Sequence, residues 1–312
     1  MTRKRWLAYL YVLGAFASLH AQEPGFATRE ISVTFDDLPA VDSDLAETRR
    51  ITRELLVTLR ANDVPAIGFV NEGKLFVRGE MDERAGFLRA WLDAGHMLGN
   101  HTFSHISIAQ APFEEYAEDL VRGETVTRML LAERGGKLRY FRHTQLRTGP
   151  TEEYRVRLNA LLAQRGYITA PVTIDNNDYL FNRAYAIARE RGDEKARQRV
   201  AEAYVPYMES VVAHFEDLSQ QFLGRPMKHT LLLHANEINA DHFGALVAML
   251  KKRGYRFITL DEALTDPAYQ MPEAQSPRGI SWIHRWMLAK GLPMQEEPLE
   301  PEWIRKLALS GR

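Results

Sequence analysis

Short apolar runs alternate along most of the chain with longer amphipathic stretches. The apolar runs predict strands, because β-branched and aromatic residues dominate them and polar residues bound them. The stretches between them carry apolar residues at helical spacing; Leu45, Ile51 and Leu55 fall on one face of a helix predicted over 43–62. The predicted strand segments are 31–35, 66–70, 95–101, 138–143, 167–175, 229–236 and 255–264.

Strands that alternate with helices form a parallel sheet with right-handed crossovers. About seven such units predict an α/β protein built on one closed or nearly closed β/α barrel, with a doubly wound open sheet as the alternative. Further helices are predicted over 80–94, 113–134, 152–165 and 241–253, and the polar region 179–222 contains Gly192 and Pro206, which predicts two helices or more.

The two ends of the chain differ from this alternation. Basic residues at 3–5 precede an uncharged apolar run over 6–19 and then small residues, which predicts a signal peptide over 1–21 and export to the periplasm or medium. An uncleaved membrane anchor is the alternative. The barrel is predicted over 28–266, followed by a proline-rich and then amphipathic tail, 267–312, that forms short helices packed on the barrel.

Composition narrows the classes of function. The 312 residues are 45% hydrophobic, enough for a full core, and 40 basic against 41 acidic residues leave no basic surface for nucleic acid. The chain has no cysteine, which excludes disulfides, thiolate metal ligands and cysteine nucleophiles. Its ten histidines leave metal and acid–base chemistry available.

Ionisable residues gather where the predicted strands end. They are Asp36, Asp37, His101, Arg142, Asp175 and His234. In β/α barrels the carboxyl ends of the strands form the rim on which active sites are assembled. Three residues separate His101 from His105, a spacing that lets two imidazoles reach one cation when the chain between them makes a turn. Each motif alone also fits an incidental structural role.

Taken together and in order, the motifs resemble a known family. "TFDD", "GHMLGNHTFSH", "YFRH", "DNNDY" and "LLLH" are similar to the motifs of the polysaccharide deacetylases, carbohydrate esterase family 4, over about 29–264. The resemblance implies a distorted (β/α)7 barrel of the TIM type. It also implies one divalent metal, most often Zn²⁺, held by Asp37, His101 and His105.

The resemblance also implies roles for the proton-transfer residues. Asp36 corresponds to the general base and Arg142 to the arginine that pairs with it. His234 corresponds to the general acid that protonates the leaving amine. Asp178 corresponds to the carboxylate that orients this histidine, with Asp175 as the competing candidate.

Two residues are implied in substrate binding, and one motif departs from the family. Leu232 corresponds to the apolar wall for the acetyl methyl group, and Tyr179 offers an aromatic face to a sugar. The third motif reads "RHTQ" over 142–145 where the family has Arg-Pro-Pro-Tyr, which alters the groove wall and the backbone N–H near the oxyanion. The long region 179–222 is expected to cover the groove.

The predicted function is hydrolytic, metal-dependent deacetylation of an N-acetylated glycan with release of acetate. Chitooligosaccharides, peptidoglycan and exopolysaccharides are the candidate substrates, and O-acetyl esters fall within the same chemistry. A glycan-binding pseudoenzyme and an amidohydrolase of small non-sugar amides are the alternatives. The glycan is the predicted partner, and membrane contact is expected only through an uncleaved leader.

Overall fold

A computed structural model describes residues 29–311 of the chain. The predicted signal peptide, 1–21, lies outside the described residues, so its cleavage and the route of export stay predictions. Between residues 29 and 311, every helix is too short or too polar to serve as a membrane span.

Seven parallel strands form the centre of the fold. They are β1 Arg29–Leu38, β2 Ala66–Val70, β3 Met97–Asn100, β4 Tyr140–Phe141, β5 Ile168–Thr169, β6 Lys228–His234 and β7 Tyr255–Phe257. The sheet order is β5-β4-β3-β2-β1-β6, and β7 pairs with the first residues of β1, whereas β2 pairs with its later ones. The curled parallel sheet confirms the predicted distorted barrel.

Eleven α-helices within the described residues connect and cover the strands. They are α1 Leu45–Ala61, α2 Met81–Asp93, α3 Phe113–Arg122, α4 Thr125–Ala132, α5 Glu152–Gln164, α6 Asp178–Glu190, α7 Glu194–Leu223, α8 Glu237–Lys252, α9 Leu260–Ala263, α10 Trp282–Ala289 and α11 Glu302–Leu309. Gly192 separates α6 from α7, whereas α7 continues through Pro206.

One predicted helix is divided in the structure. The expected helix over 113–134 breaks between α3 and α4 at Gly123, where a Cβ atom would lie 2.4 Å from the backbone carbonyl carbon of Thr102. Only glycine permits this approach without displacing the backbone. The break therefore lets the end of α3 pack closely against the segment that follows β3.

The gap between β5 and β6 is closed by irregular backbone and by the tail. Thr173 N–H donates to the Thr230 carbonyl (3.1 Å), and Trp282 N–H donates to the Val172 carbonyl (2.7 Å). The Ser281 hydroxyl donates to the Thr173 carbonyl at 2.9 Å. The segment after β5 thus bridges to β6, and the start of α10 is hydrogen-bonded to that same segment.

The two faces of β1 are buried in different surroundings. Phe35 faces the helices and packs edge-on against Trp91 of α2 and Phe243 of α8, with ring centroids 5.6 and 5.3 Å apart. Thr34 faces the barrel interior, where its hydroxyl donates to the Leu231 carbonyl at 2.8 Å. The barrel interior therefore offers polar anchoring points beneath the carboxyl ends of the strands.

The tail contributes to the main core. Trp282, Trp286 and Ile304 are buried, and the Trp286 ring lies edge-on to Tyr269 with a centroid distance of 5.6 Å. Both tryptophans therefore contribute to packing of the core.

We expect Trp286→Ala to lower the free energy of unfolding by about 3–5 kcal/mol, because it leaves a large cavity in the core. Leu309→Ala, at a 45% exposed position of α11, is the matched control and should change stability by less than about 0.5 kcal/mol. Urea unfolding followed by tryptophan fluorescence and circular dichroism measures both variants. Equal effects would contradict the packing of the tail on the barrel.

Candidate active site

A cavity of about 1040 Å³ opens at the carboxyl ends of β1, β3 and β6. Seven of the nine predicted site residues line it: Asp36, Asp37, His101, His105, Tyr179, Leu232 and His234. The other two, Arg142 and Asp178, lie behind the cavity wall and contact Asp36 and His234. The structure thus brings all nine predicted residues into one region.

Asp36 and Asp37 both face this cavity although they are adjacent in β1. Successive residues of a regular strand point to opposite faces. Here the register between β1 and β2 shifts between Phe35 and Leu38, and Asp37 has a left-handed backbone with φ of 70°. This local bend turns both carboxylates to the same side.

The two histidines are presented by a turn after β3. His101 continues the strand through its N–H, which donates to the Val70 carbonyl at 3.0 Å. Thr102 and His105 then adopt left-handed conformations, with φ of 66° and 57°. The imidazole centroids come within 5.0 Å of each other.

Asp37, His101 and His105 form a candidate metal site. The Nε2 atoms of both imidazoles lie 3.7 Å from Asp37 Oδ1, and one donor atom from each residue lies within 4.8 Å of the others. Asp37 Oδ1 is buried without a hydrogen-bond partner among the described residues. An unpaired buried carboxylate oxygen facing two imidazoles fits a bound cation.

The protonation of the histidines also fits a metal. His101 Nδ1–H donates to the Arg142 carbonyl at 2.9 Å, which leaves the Nε2 lone pair directed at Asp37. Burial lowers the pKa values of His101 and His105, so both imidazoles are neutral at physiological pH. Oxygen and nitrogen donors of this kind suit Zn²⁺ and related divalent cations.

Lys74 is a site residue that the sequence did not reveal. Its Nζ donates to the Asp37 carbonyl (3.2 Å) and lies 3.8 Å from Asp37 Oδ2. Burial would raise the pKa of Asp37, but Lys74 and the neighbouring histidines hold it well below its usual range. The only signal was position, because Lys74 follows the carboxyl end of β2.

Asp36 lies beside the candidate metal site without belonging to it. It is 3% exposed, and its Oδ1 lies 3.4 Å from Arg142 Nη1. Burial raises the pKa of Asp36 to about 6, against the lowering effect of Arg142. A carboxylate with a pKa near neutrality is suited to accept a proton from water.

Arg142 is held inside the barrel. Its Nη2 donates to the Thr34 hydroxyl at 3.0 Å, and its guanidinium lies over the Phe69 ring, 4.5 Å from the centroid. The side chain is completely buried. These contacts hold the Arg142 guanidinium beneath Asp36, where its positive charge favours the ionised form of the Asp36 carboxylate.

His234 is oriented by Asp178. His234 Nδ1–H donates to Asp178 Oδ1 at 2.6 Å, and Asp178 Oδ2 accepts from the His234 backbone N–H at 2.9 Å and from Asn239 Nδ2 at 2.7 Å. Burial lowers the pKa of His234, but Asp178 outweighs this effect and the pKa rises to about 10. The imidazolium is therefore the stable form at neutral pH.

Asp175, the competing candidate, lines the cavity instead. Its Oδ1 accepts from the Asn176 backbone N–H at 2.8 Å. Burial, with the nearby Glu297 carboxylate, raises the pKa of Asp175 to about 7. Of the two carboxylates, Asp178 is the one hydrogen-bonded to His234.

The two predicted substrate-binding residues lie next to His234. Leu232 is nearly buried in the cavity wall. Tyr179 is 51% exposed, and its ring centroid lies 6.4 Å from that of His234 in an edge-on arrangement. Leu232 therefore offers an apolar surface and Tyr179 an accessible aromatic face.

The cavity wall differs from the expected one. From the region 179–222, Tyr179 and Asn182 line the cavity, whereas the tail supplies Arg278, Gly279, Ile280, Met294, Gln295, Glu296, Glu297 and Leu299. The tail is thus the larger contributor to the cover. Its sequence gives no motif that would have placed it here.

Strained backbone is concentrated around the cavity. Seven residues other than glycine have positive φ within 29–311, and five of them are Asp37, Thr102, His105, Gln145 and Leu146. Such conformations persist where the surrounding structure enforces them, and they cluster at functional sites.

Comparison with known proteins finds a family match for part of the chain. Residues 25–161 match the polysaccharide deacetylase family, in agreement with the motifs. A peptidoglycan-N-acetylglucosamine deacetylase of Bacillus cereus is 28% identical over 102 residues, 32% of this chain and 32% of that protein. The chain therefore matches about a third of the length of this curated relative.

One of the similar solved structures supports the fold. The Bc1960 peptidoglycan N-acetylglucosamine deacetylase superposes with a TM-score of 0.52 at 17% identity, over 81% of this chain and 92% of that one. A pseudoenzyme of carbohydrate esterase family 4 from Bacillus anthracis has a TM-score of 0.48 at 17% identity, over 76% and 66% of the two chains.

We expect Asp178→Asn to lower the pKa of His234, because the substitution removes the carboxylate that stabilises the imidazolium. In the native protein the raised pKa stabilises the fold below the ordinary histidine value of about 6.5, and this contribution is lost as pH rises through about 10. Titration of the His234 ring by NMR measures the shift. Asp175→Asn is the control, and a larger shift there would reverse the assignment.

We expect His101→Ala and Asp37→Ala to weaken Zn²⁺ binding by more than about 100-fold, the upper range seen when only an outer hydrogen-bond partner of a metal ligand is lost. Competition with a chromogenic chelator measures the affinity. His96→Ala removes a buried histidine that packs on Trp91 and should bind Zn²⁺ as the native protein does. Unchanged affinity in His101→Ala would exclude this site.

Proposed function

We propose that the protein is a metal-dependent hydrolase that removes acetyl groups from an N-acetylated glycan. One observation carries the proposal: Asp36 and His234, which is hydrogen-bonded to Asp178, border the same cavity as the three candidate metal ligands. The family assignment and the deacetylase relative support the same reaction class.

A metal ion at the candidate site would activate both the substrate carbonyl and the attacking water. A divalent cation bound by Asp37, His101 and His105 would polarise the acetamide carbonyl and increase the acidity of water. Asp36 lies next to these ligands, with its Oδ2 3.7 Å from His101 Nε2. In the proposed reaction Asp36 accepts the proton of the attacking water, and Arg142 keeps the carboxylate ionised beforehand.

His234 completes the reaction on the leaving side. Water oxygen forms the new bond to the carbonyl carbon, and the C–N bond breaks as His234 protonates the departing amine. Acetate and a free amino sugar are the products. Asp178 stabilises the protonated His234 before this transfer and fixes the orientation of its ring.

The shape of the cavity supports a glycan substrate. Leu232 provides an apolar contact for the acetyl methyl group, and the exposed face of Tyr179 provides a stacking surface for a sugar ring. A volume of about 1040 Å³ is at the upper end of the usual range for small-molecule sites. N-acetylhexosamine units of chitooligosaccharides, peptidoglycan or exopolysaccharides are the proposed substrates.

The predicted leader agrees with this class of substrate. Peptidoglycan and exopolysaccharides lie outside the cytoplasm, and the sequence at 1–21 predicts export. We therefore propose a periplasmic or secreted enzyme.

We expect Asp36→Asn to lower kcat by about 10²–10⁴-fold, because it removes the proton acceptor for water. Zn²⁺ affinity should remain, since Asp36 is not among the candidate ligands. Acetate released from N-acetylglucosamine oligomers measures activity.

Complete removal of metal with a chelator should abolish this activity, and added Zn²⁺ should restore it. Acetate release that persists in the metal-free protein would overturn the mechanism. Glycan binding without acetate release from any N-acetylated glycan would instead identify a pseudoenzyme.

A further inference from the structure

A buried arginine of the C-terminal segment is hydrogen-bonded to the loop that forms one wall of the cavity. Resting on the proposed function, we infer that Arg285 of α10 is a positioning residue that fixes the loop 143–149 for the deacetylation step. Arg285 lies outside the part of the chain that matches the family, residues 25–161.

Arg285 joins two separate stretches of backbone. Its Nη2 donates to the Leu146 carbonyl at 2.8 Å, and its Nη1 donates to the Thr148 hydroxyl at 3.2 Å. The same two nitrogens reach the Ala274 carbonyl at 3.2 Å and the Arg278 carbonyl at 3.4 Å. One guanidinium therefore holds the loop and the start of the tail together.

The guanidinium is completely buried and is paired with neutral oxygen atoms. Its plane lies near the Trp282 ring, 5.1 Å from the centroid. Burying a cation is unfavourable, and burial lowers the pKa of Arg285 to about 10. An apolar side chain would serve packing alone, so the charge indicates a requirement for several fixed hydrogen bonds.

The loop held by Arg285 is strained and tightly packed. Gln145 and Leu146 have φ of 55° and 53°, in the left-handed region. A Cβ atom on Gly279 would lie 1.9 Å from the Gln145 carbonyl oxygen, so the tail backbone rests directly on the loop. Gln275 Nε2 adds a hydrogen bond to the Gly149 carbonyl at 3.0 Å. These contacts enforce a conformation that the loop would not hold alone.

The same loop borders the reacting groups on two sides. Gln145 lines the cavity, and its backbone N–H donates to no other described residue, so we take this N–H as the candidate donor to a substrate oxygen. The Thr144 hydroxyl donates to the Ile106 carbonyl at 3.0 Å, next to His105. Arg285 thus supports both a hydrogen-bond donor in the wall and the turn that carries a candidate metal ligand.

This arrangement accounts for the departure of the third motif. Its "HTQ" at 143–145 lacks the prolines that would stiffen the backbone. Here the stiffness comes from the tail, through Arg285 and Gly279. The tail therefore acts on the reaction through the loop and not only through packing.

The test compares Arg285→Ala, Arg285→Lys and Thr148→Val with the packing control Met287→Ala, a buried residue of the same helix. We expect Arg285→Ala to lower kcat on N-acetylglucosamine oligomers by about 100-fold with little change in KM, because a misplaced donor acts mainly on the transition state. Added guanidinium ion should restore part of the kcat. Arg285→Lys and Thr148→Val should show smaller losses of the same kind, whereas Met287→Ala should lower Tm and keep kcat.

A second measurement does not depend on activity. Hydrogen exchange of the amides 144–148 should become faster in Arg285→Ala than in Met287→Ala, with the rest of the barrel unchanged. A native kcat in Arg285→Ala, or unaltered exchange in the loop, would overturn the inference. If the native protein releases no acetate, the proposed function fails, and hydrogen exchange alone then decides whether Arg285 positions the loop.

Discussion

Asp36 and Asp37 are adjacent at the end of β1, and their carboxylates repel each other. The surrounding side chains offset this unfavourable repulsion. Burial penalises both charges, so each needs a positive partner. Lys74 lies beside Asp37, and Arg142 lies below Asp36. Because the two carboxylates have separate partners, their pKa values move apart, with Asp37 ionised throughout and Asp36 able to exchange a proton near neutrality. Because their pKa values differ, the two adjacent carboxylates differ in their ability to accept a proton.

The polar interior of the barrel makes this arrangement rigid. Arg142 is anchored to Thr34, and Thr34 is in turn bonded to the backbone of β6, the strand that ends in His234. The Arg142 carbonyl also accepts a hydrogen bond from His101, so Arg142 contacts Asp36, a candidate metal ligand and the sheet. A small displacement of any of these strands would therefore shift several site residues together.

Much of the fold and site was predictable because local rules determine them. Alternation of apolar strands with amphipathic helices fixed the barrel class, and strand ends located Asp36, His101 and His234. Distinguishing Asp178 from Asp175 required coordinates, because the two carboxylates lie three positions apart in one short segment and only the structure shows which of them contacts His234. Lys74 and the cavity wall from the tail were not predictable. Their roles arise from contacts between distant segments, and neither carries a pattern of its own.

The position of α10 in the gap between β5 and β6 has a consequence for biosynthesis. During translation Asp37, His101 and His105 are synthesised early. His234 at the end of β6 and the segment around Arg285 are synthesised much later. The three candidate metal ligands are therefore translated before His234 and before one wall of the cavity. The cavity wall is complete only after residues 278–299 have been translated and have packed against the barrel.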